Sequence, residues 1–339
     1  MPLENSGRWT LFALFLAPLA FIAVAHPASV ADGTTLQQDG TLTGPYFGQT
    51  PPGLEPEIFA PGIVSTSAGE GCIVFSADGL RVVFRRFGLA SVLLEGGDSE
   101  RGWRIPSVPA PFSRLDYYNG DFTLAPDGRS FYFSSRRPVE EGSPEPEYSN
   151  AWVVDWDASG WSEPVPLPAT VRSIGHQAYP TMTTDGMLYF FSWDPTSEQN
   201  DIFRSSKSNG GFGEPENLGS SINSEHQEYD PFVSPDGSYL IFASNDRPGG
   251  FGDGDFYISF VQEDGSWSEP ANMGDGINSA ANENRPFVTL DGRYFFFTSD
   301  RVVNDPALEE LNPGDRPGNG SRDVYWVDAS IIDQLKPSR

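Results

Sequence analysis

Five Asp-Gly pairs, each opening into a run of large apolar residues, constrain this chain more than any other feature. They stand in FSADGLRVVFRR from Phe75, LAPDGRSFYFSS from Leu124, MTTDGMLYFFSW from Met182, VSPDGSYLIFAS from Val233 and VTLDGRYFFFTS from Val288. Asp-Gly between two apolar runs is the strongest short-range hairpin signal, because both central residues of a two-residue turn take positive φ and these residue types tolerate it. Each copy therefore predicts a two-stranded hairpin. Six residues after each Asp stands a phenylalanine (Phe84, Phe133, Phe191, Phe242, Phe297), and four after it come Val82, Phe131, Tyr189, Leu240 and Phe295 on the same strand face. The intervening Val83, Tyr132, Phe190, Ile241 and Phe296 face the other way. With both faces apolar, each strand has to be covered on both sides, as in a propeller blade packed between two neighbours.

A second pair of runs completes each copy. DIFRSS, DFYISF and DVYWVD start at Asp201, Asp255 and Asp323, NAWVVDW takes the same place from Asn150, and GWSEPVPL, FGEPENL and SWSEPANM follow in three copies. The last copy has no fourth run, whereas LEPEIFAPGI at Leu54 to Ile63 matches one and precedes the first copy. Lending that strand to the final blade closes a ring and removes two open edges. The predicted fold class is all-β, a five-bladed β-propeller of four-stranded antiparallel blades.

The SPDG turn, the Phe-rich second strand and SNDRPGGFG before DFYIS resemble the PD40 or WD40-like repeats of TolB-type proteins, over about Leu54 to Ser330. The resemblance implies a periplasmic or exported propeller, with six blades, the count common in TolB-type proteins, as the alternative. It assigns no function, since propellers host binding modules and enzymes alike.

Charge narrows the partners. Asp and Glu outnumber Lys and Arg 47 to 21, and a net charge of -26 opposes nucleic acid and anionic membrane surfaces. A protein partner or a glycan is expected. Arg8 precedes the apolar run WTLFALFLAPLAFIAVA, which Pro18 interrupts, and Ala23 and Ala25 suit cleavage before His26, with Ser29 and Ala31 offering a second site before Asp32. This predicts a signal peptide over 1–31, a linker over 32–53, the propeller over 54–330 and a tail over 331–339, in a periplasmic or secreted protein with no stable membrane span once the leader is removed. Cys72 is the sole cysteine, so no disulfide forms within the chain.

Eight residues before each turn Asp, an ungapped alignment places Glu70, Asn119, Gln177, Glu228 and Glu283, all carboxylates or carboxamides. At the entrance to the innermost strand, such a column would converge on one mouth of the central channel and suit sugar hydroxyls or a hard cation. The alternative is hydrogen bonding that ties loops together. Two positions on, the column holds Cys72, Asp121, Tyr179, Asp230 and Arg285, of which Asp230 and Arg285 join the candidate ligand-binding set. His176 and His226, each just before an inner strand, complete that set, but their spacing fits no local metal signature. No metal site and no cofactor are expected; calcium on the Gly/Asp loop GGFGDGD, Gly249 to Asp255, is the sole alternative.

No Gly-x-Ser-x-Gly elbow, phosphate loop or His-Glu-x-x-His occurs. The chain therefore reads as a binding or scaffolding module that uses one rim and the channel mouth. The alternative is a carbohydrate-active hydrolase or lyase whose site lies in that mouth, with a pair of carboxylates such as Glu228 and Glu283.

Overall fold

The computed structural model describes residues 42–337 apart from 89–90, 96–101, 104–107, 115, 158–159, 195 and 209–210. The expected leader and its expected cleavage sites lie outside the described residues, and among the described residues no helix is long and apolar enough to cross a membrane. The chain folds as an all-β propeller. Among the described residues there are four sheets of four strands, one of five, and a separate two-stranded ribbon.

Each larger sheet starts from one inner strand: Glu70–Phe75, Asn119–Leu124, Ala178–Met182, Gln227–Val233 or Glu283–Val288. These inner strands touch one another in chain order, and the last also touches the first. The second strands, Arg81–Arg86, Ser130–Ser135, Leu188–Asp194, Tyr239–Asn245 and Tyr294–Ser299, are buried on both faces, as the unbroken apolar runs require. Third strands begin at Ser91, Asn150, Gln199, Asp255 and Asp323.

The closing strand sits where the sequence puts it. Glu57–Ile58 pairs antiparallel with Asp323–Asp328, Glu57 opposite Trp326 and Ile58 opposite Tyr325. Phe59 N–H continues the ladder to the Val324 carbonyl at 2.8 Å, and its ring is fully buried against Trp326, Phe296 and Phe75. A core phenylalanine of this kind is worth about 3–5 kcal/mol against alanine, so a two-residue strand closes the ring mainly through its apolar flank.

Two expected boundaries need correction. Residues 42–53 do not form a linker: Tyr46 and Phe47 are buried in the core, and Tyr46 meets Phe75 and Tyr294 edge-on. The tail is likewise packed, since helix Ile331–Gln334 buries Ile332.

The turn chemistry also differs from a tight two-residue hairpin. Only the glycine of each pair has positive φ; the aspartate is an acceptor. In the first copy Asp78 Oδ1 takes the Ser76 hydroxyl at 2.6 Å and the Leu80 N–H at 3.0 Å, while Gly79 N–H returns to the Ser76 carbonyl. Gly79, at φ 67°, leaves room that a Cβ would take from Pro45 at 2.9 Å. Thr183, Ser234 and Thr289 supply the same hydroxyl to Asp185, Asp236 and Asp291. Partial burial pushes the Asp78 and Asp236 carboxyls up, but these hydrogen bonds outweigh it and hold both below the usual range.

Candidate functional site

The expected polar column does not face the channel. Glu70, Glu228 and Glu283 are wholly buried. The backbone N–H and hydroxyl of the residue four earlier bind both carboxylate oxygens: Thr66 on Glu70, Ser224 on Glu228, Ser279 on Glu283, at 2.6–2.9 Å. The arginine at the end of the second strand completes each set, Arg86 at 2.8 Å, Arg247 at 3.1 Å and Arg301 at 3.0 Å. Asn119 accepts from Ser135 and Arg137 and donates to the Arg114 and Tyr117 carbonyls; Gln177 donates to the Ile174 and Gly175 carbonyls. This column is a loop clamp, and the reason is register: its side chains point along the strand end into the preceding connection.

The residues two positions on behave differently. Every inner strand breaks register there: Gly71 to Ile73, Gly120 to Thr123, Ala178 to Thr181, Tyr229 to Phe232 and Asn284 to Phe287. Cys72, Asp121, Tyr179, Asp230 and Arg285 occupy the bulges with φ between 49° and 58°, a conformation that costs a non-glycine residue about 1–3 kcal/mol each. The bulge re-aims all five side chains toward one another. Arg285 Nε lies 3.7 Å from Asp121 Oδ1, Arg285 N–H donates to Asp230 Oδ2 at 3.1 Å, and the Cys72 thiol reaches Asp121 at 3.9 Å. Tyr118 donates to Asp121 at 2.7 Å, and Tyr179 crosses the axis to the Pro286 carbonyl at 2.7 Å.

Above this cluster opens a cavity of about 710 Å³, which Asp121, Asp230 and Arg285 line. Its walls carry aromatic faces (Tyr148, Phe191, Tyr229) and amides (Asn200, Asn245, Asn282). That combination suits a polyhydroxylated ligand, with ring faces for stacking and amides for hydroxyls.

Electrostatics sharpen the picture. Burial pushes the Asp230 carboxyl up to about 7, against the pull of Arg285 and with added repulsion from Asp121. Burial also pushes the Cys72 thiol up to about 12, so it is not a nucleophile at neutral pH. Burial would lower Arg285, but Cys72, Asp230 and Asp121 together raise it, and it stays charged.

Of the two histidines, His176 lines the cavity, edge-on to Phe191 at 5.4 Å, and burial lowers its pKa while Asp121 opposes the shift. His226 is outside the lining; its backbone N–H bonds the Ser224 hydroxyl. In the Gly249–Asp255 loop the Asp255 carboxylate folds back on the Phe251 N–H at 2.6 Å. Among the described residues no three His, Cys, Asp or Glu side chains are grouped to hold a metal ion.

Sequence reasoning missed Tyr118, Tyr148, Tyr229, Asn282 and Arg322 at the cavity. A prolyl residue following the bulge in Tyr179-Pro180, Asp230-Pro231 and Arg285-Pro286 was the available signal of irregular backbone there.

No family model and no curated protein matches this chain. Solved structures do: a thermostable family-43 glycoside hydrolase is 12% identical over 76% of this chain and 88% of that one, with a TM-score of 0.45. Another glycoside hydrolase is 10% identical over 84% and 92%, TM-score 0.49. A prolyl endopeptidase is 11% identical over 76% of this chain but 32% of that one, TM-score 0.37. Likenesses this distant carry no argument about activity.

Proposed function

We propose that the chain is an exported five-bladed propeller that binds a glycan in its axial cavity and hydrolyses it there. Five blades are supported by counting the five-stranded sheet with the four-stranded ones, since each contributes one inner strand to the ring of contacts. Export follows from the leader-like run, and N-terminal sequencing of secreted material should begin near His26 or Asp32; a start at Met1 refutes it.

The observation that carries the enzymatic reading is the pair of carboxyls in the cavity. Asp230, with its pKa raised toward 7, still holds a proton near neutrality and suits protonation of a leaving-group oxygen. Asp121, oriented by Tyr118, suits activation of a water or direct attack at the sugar carbon. Release of reducing ends from a polysaccharide panel, reduced about a hundredfold or more by Asp230→Asn with glycan binding retained, would support this. Binding without turnover by the native chain would return the site to a pure recognition role. That second reading draws on Arg285, which engages both carboxyls and stiffens the floor of the cavity.

A further inference from the structure

Repetition supplies an internal control for each position of the ring. At the start of the third strand in four sheets stand Ser149, Gly254 and Arg322, each just before it, and Asn200, its second residue. For three of them the fold uses only the backbone: the carbonyls of Ser149, Gly254 and Arg322 accept from the N–H of Gln177, Glu283 and Glu70 in the next sheet, at 3.0, 2.8 and 2.5 Å. The connection is satisfied by a serine or a glycine, so a long cation there answers no need of the scaffold.

Arg322 lines the cavity, half-buried, with its guanidinium 5.6 Å above the Phe87 ring. The other two cavity arginines have carboxylate partners: Arg136 pairs with Glu145 at 3.1 Å, and the Arg285 guanidinium lies 3.7 Å from Asp121. Arg322 has no carboxylate within ion-pairing distance among the described residues, in a chain where acids outnumber basic residues 47 to 21. Burial and repulsion from Arg285 both disfavour its charge, while Asp300 and Asp230 favour it. A bound anion would relieve that cost. Glu147 also lines the cavity but stands exposed, where solvent screens it.

We infer that Arg322 is the recognition point for a carboxylate on the bound glycan, so that the cavity takes a uronic acid residue rather than a neutral sugar. The inference rests on the glycan reading above. A planar guanidinium offers parallel N–H donors that match a carboxylate in pairs, which an ammonium cannot do.

The test is calorimetric binding of uronic acid hexamers (galacturonate, mannuronate, guluronate) and their carboxyl-reduced counterparts to the full chain at pH 7. At least one hexuronide should bind about tenfold or more tightly than its reduced form, and Arg322→Gln should erase that difference. Arg322→Lys should restore part of the preference. Equal binding of both forms, a preference that survives Arg322→Gln in a protein with unchanged melting, or binding confined to sulfated hexasaccharides would overturn the inference while leaving the glycan reading intact. Failure of every neutral, acidic and sulfated oligosaccharide to bind would overturn both.

Discussion

Two rings of five side chains lie two residues apart along the same inner strands, yet they have opposite characters. The outer ring, Glu70, Asn119, Gln177, Glu228 and Glu283, is chemically uniform, and each member ties its strand to the connection that precedes it. The inner ring, Cys72, Asp121, Tyr179, Asp230 and Arg285, is chemically mixed, and its members reach from one sheet to another: Cys72 and Arg285 to Asp121, Arg285 to Asp230 and Tyr179 to the Pro286 carbonyl. A role the scaffold needs five times is filled five times by similar residues. A role needed once per molecule breaks the repeat, and the strained bulges show where.

The sharpest way to break this contrast is at the outer ring. Glu283→Ala should cost about 3–5 kcal/mol, because it leaves the largely buried Arg301 guanidinium without its carboxylate and the Ser279 and Ser299 hydroxyls without their acceptor; denaturant unfolding reads it, and a loss under 1 kcal/mol would mean that the clamp is idle. At the inner ring the expected pattern is reversed. Asp230→Asn should lower turnover about a hundredfold and leave unfolding at pH 6 nearly unchanged, measured as initial rates beside a melting curve.

Titration sharpens the comparison further. Burial, with repulsion from Glu70, pushes Asp323 up to about 7, as burial does Asp230. A raised folded-state pKa means that the stability tied to each group is fully present below its unfolded value near 4 and is lost as pH rises through about 7. The turn aspartates run the other way: lowered carboxyls such as Asp78 and Asp236 contribute above about 4, and that contribution is lost as pH falls through their folded values. Melting temperature should thus peak on the acid side of neutrality, and Asp323→Asn should flatten the decline between about pH 4 and 7; a decline unchanged in that variant would remove Asp323 from the account. The smallest effect belongs to Tyr179→Phe, which deletes one axial hydrogen bond and should cost about 1 kcal/mol in chemical unfolding.

The fold was legible because its signals are local and repeated. Two-sided apolar runs such as Tyr294–Ser299 permit only a covered strand, and the missing fourth run of the last sheet points to Glu57–Ile58. The aspartate of each turn was misread, although Ser76, Thr183, Ser234 and Thr289, two residues earlier, advertise a side-chain bridge rather than a second positive φ. The site was half legible. Asp230, Arg285 and His176 were in the expected set and line the cavity, but the emphasis on Glu228 and Glu283 ignored the one-residue bulge, which changes which side chains face the axis. Arg322 and Tyr148 come from the connections that lead into third strands, whose residues differ from copy to copy and which an alignment on the turns does not reach.

The central claim is that the inner ring is the site and the outer ring the scaffold, and one paired measurement addresses it: reducing-end release and denaturant midpoint at pH 6 for Asp230→Asn beside Glu228→Gln/Glu283→Gln. The account expects the first variant to lose turnover about a hundredfold at an unchanged midpoint, and the second to lower the midpoint while the folded fraction turns over as the native chain does. An outer-ring pair that stays fully stable but loses turnover, with an inner-ring variant that unfolds, would contradict it.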